Sequence, residues 1–270
     1  MDKLGLALGS GGARGYAHIG ALKALNEEGY EPDLITGSSI GALIGVLYSY
    51  YGSAQKVEEI ILASYWRDAL EMTGVSRGGV LSAEKVQSFF AKFVGDVRLE
   101  DLEIPVGVVA TDFHTARPVL IKKGSAIKAM QASAAFPLFI EPLKVSGRVF
   151  WDGGLSSQVP TKAARQMKAT RVIGVNLNKN FGESEDYNGL NPYSIGRRAI
   201  EALQYHMTEV DMEEVDIEIS PDLGSTKFLG VGTLVKKDEG REIIRRGYNE
   251  ARKVIKEIKD EKIRRNDNNN

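Results

Sequence analysis

Apolar residues along the chain fall into short runs and helical stripes that alternate. Leu4-Gly5-Leu6-Ala7-Leu8 is a run bounded by glycine, and over residues 17–28 the positions Ile19, Leu22 and Leu25 recur with helical spacing. Leu34-Ile35-Thr36, a tight turn and the helical stretch 40–51 repeat that strand-then-helix order. Further helices are predicted over residues 53–69, from a Ser82 N-cap to near Gly95, over 126–133 ahead of Pro137, from Thr161 to about Lys168, and over 197–210. Between them lie strand patterns at 106–110, 118–121, 149–151 and 171–177, the last the best parallel-strand pattern in the chain. Strands alternating with helices predict an α/β protein in which helices cover both faces of a mainly parallel sheet.

The remainder of the pattern concerns the C-terminal third. Residues 178–192, rich in Asn, Glu, Asp and Gly, read as an exposed loop. Over 239–265 a stripe of Ile243, Ile244, Tyr248, Ala251, Val254, Ile255 and Ile258 predicts a long amphipathic helix whose other face is charged. Residues 227–270 hold thirteen basic and eight acidic side chains; the ordinary reading is a solvated outer face, the sharper one a contact with an anionic lipid surface. No internal repeat is evident, so one domain is expected over residues 1–265, with 266–270 a disordered tail.

Composition narrows the chemistry. With 43% hydrophobic and 26% charged residues the chain reads as soluble and globular, and a net charge of −1 offers no general attraction for nucleic acid. The absence of cysteine excludes disulfides, thiolate catalysis and cysteine-ligated zinc, and three histidines, His18, His114 and His206, make a histidine-rich metal centre a poor expectation. The first apolar run is too short for a secretory signal and no stretch reads as a membrane span. A cytoplasmic location is therefore expected, with peripheral membrane contact compatible with it.

Three glycine-rich stretches carry candidate chemistry. Gly37-Ser38-Ser39-Ile40-Gly41 fits G-x-S-x-G centred on Ser39 and stands between a strand and a helix, where such a turn exposes a hydroxyl close to a helix N-terminus. Ser38, at the x position, points elsewhere and has no assigned chemistry. Gly9-Ser10-Gly11-Gly12-Ala13-Arg14-Gly15 can converge its amides on an anion. That loop is either a dinucleotide fingerprint, which would need glycine where Ser10 stands, or an oxyanion hole built from the Gly11 and Gly12 amides. Arg14 then braces the loop or meets an anionic head group. In Phe150-Trp151-Asp152-Gly153-Gly154 a strand delivers an aspartate into a turn.

Ser39, Asp152 and His206 follow the chain order of an α/β-hydrolase triad, but few strands precede Ser39 and His206 lies in a predicted helix. His18, within a helix, and His114, in a loop, read as structural or solvated. Asp152 is then the leading base. An aspartate at its reference pKa of ~3.9 is weak, and acts only in direct contact with the hydroxyl while amides hold the new oxyanion. Asp112 reads as a carboxylate that caps a turn or pairs with a nearby base.

GSGGARG, GSSIG and DGG, in this order and spacing, resemble the patatin-like phospholipases. AHIGALKALNEEG, VVATDFHTARPVL and ASAAFPLFIEPLKVSGRVFWDGGLSSQVP are similar to the bacterial members, so the likeness covers roughly residues 4–177. The resemblance implies a three-layer fold, a lipid acyl-ester substrate, no metal or organic cofactor, Ser39 as nucleophile, Asp152 as base, and Gly11 and Gly12 as oxyanion donors. Around them Ser10, Ala13, Arg14, Gly15, Gly37, Gly41, Gly153 and Gly154 shape the motifs. Ser10 stands where glycine is usual, and Ser156-Ser157 where asparagines are common. Tyr65, Trp66, Met72, Phe136, Leu138 and Phe139 are candidates for an acyl trench; Leu138 stands where a small residue is often found. The alternative is a regulatory or lipid-binding protein on the same scaffold; a dinucleotide-binding protein comes third.

Overall fold

In the computed structural model, which describes residues 2–63, 83–137, 139–180, 191–224 and 237–267, the alternating runs build one mixed, mostly parallel sheet flanked by helices. Its strands are β1 Leu4–Leu8, β2 Leu34–Ser38, β3 Val106–Asp112, β4 Pro118–Ile121, β5 Leu143–Val145, β6 Arg148–Trp151, β7 Arg171–Val175 and β8 Ile217–Ile219. The described helices are α1 Tyr16–Glu27, α2 Ile40–Tyr51, α3 Ala54–Ala63, α4 Ala83–Val94, α5 Ala126–Ser133, α6 Thr161–Gln166, α7 Pro192–Met212 and α8 Lys237–Asp267. Hydrogen bonding follows the path β5-β6-β3-β2-β1-β7-β8, and β4 also pairs with β3. The pairs β1–β2, β1–β7, β2–β3 and β7–β8 are parallel.

Side chains alternate across each strand, which sorts the core into layers. Leu6 and Leu8 join the large core beneath α1, α2 and α8, whereas Ala7 joins a smaller cluster with Val159, Ala164 and Ala169 around α6 on the opposite face. The apolar stripe of α8, including Ile243, Ile244, Ala251 and Ile255, is buried in the large core. Its approach to α1 is so close that a Cβ on Gly20 would collide with the Ile244 carbonyl, and one on Gly247 with the Ala17 carbonyl.

Register along β3 sets the functional end of the molecule. Val108 and Val109 pair with β2 on one side and with β4 on the other, while Thr111 pairs with both β4 and β6. β2 and β6 therefore share one edge of β3. β2 runs parallel and ends with Ser38 beside Val109; β6 runs antiparallel and ends with Trp151 beside Thr111. The next residue of each strand, Ser39 and Asp152, is thus directed at the gap left beside Ala110.

Several expectations are corrected. β5 and β8, three residues each, carry too few positions to show a period of two and were not expected. β7 stops at Val175, and the Asn176 amide still donates to the Ile219 carbonyl of β8 at 2.9 Å. α7 begins at Pro192, a residue suited to a first helical turn, and Asn178, expected in an exposed loop, is buried. α8 continues to Asp267, into the stretch expected as a tail. The predicted helix over 53–69 is seen as α3, and its part beyond Ala63, like Ser82, lies outside the described residues. Among the described residues no helix is long and apolar enough to cross a membrane.

Candidate active site

At the end of β2 the chain reverses so sharply that Ser39 adopts φ 54° and ψ −122°, in the left-handed half of the map that side chains avoid. Such a conformation costs on the order of 1–3 kcal/mol and persists only where its surroundings enforce it. The two flanking glycines explain the tolerance: a Cβ on Gly37 would collide with the Ala42 amide, and one on Gly41 with the Leu8 carbonyl. Ser39 also opens α2, its carbonyl accepting from Ala42 and Leu43 at 3.0 and 3.2 Å, so its half-buried hydroxyl stands at a positive helix terminus. Ser38 faces inward, buried, as expected of the x position.

Asp152 arrives from β6 and is buried. Its Oδ2 accepts from the Ser39 hydroxyl at 2.6 Å and its Oδ1 from the Gly154 amide at 2.8 Å. Burial, opposed by those two hydrogen bonds, raises its carboxyl to about 7. A base of that strength holds a proton taken from serine far better than an ordinary surface aspartate. Gly153 lies against the Val109 carbonyl so closely that a Cβ would collide with it.

Because β1 and β2 are parallel neighbours with Leu8 beside Gly37, the glycine loop after β1 emerges next to the serine turn after β2. Gly12 has φ 53°, and residues 12–15 form a single 3-10 turn leading into α1. Among the described residues no carbonyl or side chain engages the Gly11 or Gly12 amide. Gly15 lets Ile40 pack directly on the loop, so Ala13 and Gly15 sit in the turn that joins the loop to α1. Ser10, in the position of a usual glycine, is accommodated because its partner is glycine: a Cβ on Gly154 would lie 2.5 Å from the Ser10 hydroxyl. Arg14 braces the loop from within, its guanidinium donating to Asn178 Oδ1 at 2.5 Å while burial lowers its pKa to about 10.

Residues 6–165 of the chain match the family profile described as patatin-like phospholipase. The chain belongs to the patatin-like phospholipase family. An uncharacterized NTE family protein of Mycobacterium tuberculosis is 38% identical over 184 residues, which cover 65% of this chain and 49% of the relative. Human patatin-like phospholipase domain-containing protein 6 is 34% identical over 203 residues, covering 71% and 14%, and the lysophospholipase NTE1 of Yarrowia lipolytica 31% over 195 residues, covering 67% and 14%. The chain thus spans about half the length of its mycobacterial relatives and a small part of the others. VipD from Legionella pneumophila shares the fold with a TM-score of 0.65 at 12% identity, covering 95% of this chain and 67% of that one.

Other candidate residues of this patatin-like chain fall outside the serine–aspartate pair. His18 is buried beneath the glycine loop, its Nε2 donating to the Gly9 carbonyl at 2.7 Å, and burial lowers its pKa to about 4. His206 is exposed on α7 beside Glu209, and the His114 amide donates to Asp112 at 3.1 Å. Asp112 pairs with Arg148 at 2.8 Å and caps the 113–115 turn; Arg148 above all holds its carboxyl down at about 2. Phe136 is buried and packs with Phe139, Leu155 and Ile200. Trp66 and Leu138, with Tyr65 and Met72, lie outside the described residues. A hollow of about 610 Å³ bounded by Lys23, Glu31, Tyr48 and Glu103 lies at the opposite end, before β2 and β3.

Sequence reasoning missed two hydroxyls. Ser133, at the end of α5, accepts from the Ser39 amide at 2.7 Å and donates to the Val109 carbonyl at 2.6 Å, pinning the strained residue to β3. Thr111 donates to the Asp152 carbonyl at 2.7 Å. The signal for Ser133 was only its place in ASAAFP, quoted for its likeness and not for chemistry.

Proposed function

We propose that the protein is a serine acyl hydrolase that cleaves carboxylic esters of lipids through a Ser39–Asp152 dyad and an acyl-enzyme. The observation that carries this reading is the 2.6 Å contact between the strained Ser39 hydroxyl and a buried carboxylate raised to about 7. Membership in the patatin-like phospholipases and likeness to a lysophospholipase support the lipid ester as substrate class.

The dyad contact supports the following steps. Ser39 Oγ attacks the ester carbonyl carbon as its proton passes to Asp152 Oδ2. The carbonyl oxygen gains the displaced electron pair and is held by the Gly11 and Gly12 amides; loss of one such donor typically costs about 2.7–4 kcal/mol. Collapse expels the alcohol, which takes the proton from Asp152. Water then attacks the acyl-serine, giving a proton to the same carboxylate, and collapse releases the acid as Ser39 Oγ takes that proton from Asp152.

The test is intact-mass spectrometry after incubation with a fluorophosphonate, beside turnover of nitrophenyl esters. The wild type is expected to gain one adduct and Ser39→Ala none, with turnover lost in the variant. Absence of adduct and turnover in the wild type would favour a lipid-binding scaffold instead.

A further inference from the structure

The base turn and the oxyanion loop come from chain segments about 140 residues apart, and one residue touches both. Gln158 is fully buried. Its main-chain carbonyl accepts from the Ser10 amide at 2.8 Å, and its side-chain Nε2 donates to the Gly154 carbonyl at 2.5 Å. Gly154 in turn donates its amide to Asp152 Oδ1 at 2.8 Å.

The orientation of the Gln158 amide is set from outside. Arg14 has only donors, so the atom it meets on Asn178 is the oxygen. That leaves Asn178 Nδ2 to donate to Gln158 Oε1 at 2.9 Å, which turns Gln158 Nε2 toward Gly154. Asn178 is itself held by the Asx turn in which its amide donates to Asn176 Oδ1 at 2.6 Å. Four residues thus form a buried chain of hydrogen bonds with one direction, running from the guanidinium to the turn that carries the base.

We infer that Gln158, oriented by Asn178, is a positioning residue that fixes the oxyanion loop and the Asp152 turn relative to each other. This rests on the hydrolase reading above. Gln158 touches neither the ester nor the dyad oxygens; it acts through Gly154 and Ser10. Misplacement of reacting groups by about 1 Å can cost a hundredfold in rate, so a loosened strap shows itself in kcat before it shows in binding.

The experiment uses the full chain with Gln158→Glu, Gln158→Met and Asn178→Asp. For each, kcat and KM on a short-chain nitrophenyl ester are read with the amide exchange of residues 9–12 and 152–156. All three are expected to lose kcat by about 10- to 100-fold with KM within about twofold of wild type. In Gln158→Glu the ratio to wild type should recover as pH falls from about 8 to about 6, because a buried carboxyl regains its proton there and donates to the Gly154 carbonyl again. Gln158→Met should show no such recovery. Exchange should quicken in both segments, since the Gln158 side chain holds the Gly154 turn directly and the glycine loop through Asn178 and Arg14.

A kcat within about twofold of wild type in every variant that folds, or quickening confined to one of the two segments, would overturn the inference. If Gln158→Glu fails to fold, Gln158→Met and Asn178→Asp decide by the same kcat and exchange criteria. A wild type that neither turns over ester nor takes the fluorophosphonate would sink the proposed function, while the exchange readout would still judge the strap.

Discussion

At the scale of single residues the serine–aspartate pair is a compromise between chemistry and stability. Folding raises the Asp152 carboxyl from the ordinary carboxylate range to about 7, so the folded state binds a proton more tightly than the unfolded chain does. Ionised Asp152 therefore lowers stability, by an amount that is absent below about pH 4, grows through the interval and is complete above about pH 7. Asp152→Asn is expected to abolish turnover and raise Tm, by about 2–4 °C per kcal/mol relieved, at pH 8, with the gain vanishing as pH approaches 4. Differential scanning calorimetry across that range checks it; a gain that increased toward acid would contradict the sign. Wild-type turnover should fall in the opposite sense, declining below about pH 7 as the base is protonated. Ser39 and Asp152 were legible because each sits in a local motif whose glycines announce the turn. Gln158 and Asn178 were not, because their meaning lies in partners 4 to 164 residues away.

Elements set the pair by their ends. Ser133 illustrates the connection: α5 finishes with a hydroxyl that takes the Ser39 amide and gives its proton to the Val109 carbonyl, coupling a helix to two strands. Ser133→Ala leaves both groups buried and unmet, a loss of about 1–3 kcal/mol in urea unfolding. Its kcat is expected to fall about tenfold or more, since the strained turn loses its tie; an unaltered kcat would mean that the glycines alone hold the elbow. Most long elements were legible from their periods, as β1, β2, α1, α2 and α5 show. The three-residue β5 and β8 were not, since their pairing is decided by neighbours rather than by a pattern of their own. The buried place of Asn178 was equally hidden, because an Asx turn and an exposed polar loop share a composition.

On the scale of the whole molecule the sheet separates two tasks. Its larger core, closed by α8 against α1, provides stability, while the C-terminal ends of β1 and β2 carry the glycine turns. Gly247→Leu drives a side chain into the Ala17 carbonyl and is expected to lower Tm by several degrees, since overpacking costs at least about 1–3 kcal/mol. A Tm within 1 °C of wild type, on the scale of about 2–4 °C per kcal/mol, would show that the two helices part without penalty. The alternating pattern did predict this layering, yet it could not predict which strands would share an edge.

That shared edge has a consequence in time. Ser39 is delivered by a parallel strand near the start of the chain, but its proposed base comes with the β5–β6 hairpin, which pairs with β3 at Thr111 and Asp112. A nascent chain that has ordered β1, β2 and β3 already displays its serine, but the hydroxyl has no proton acceptor until residues 143–152 arrive and dock. On the hydrolase reading, a copy whose β5–β6 hairpin has not docked lacks the Ser39–Asp152 contact and is expected to be chemically quiet toward esters.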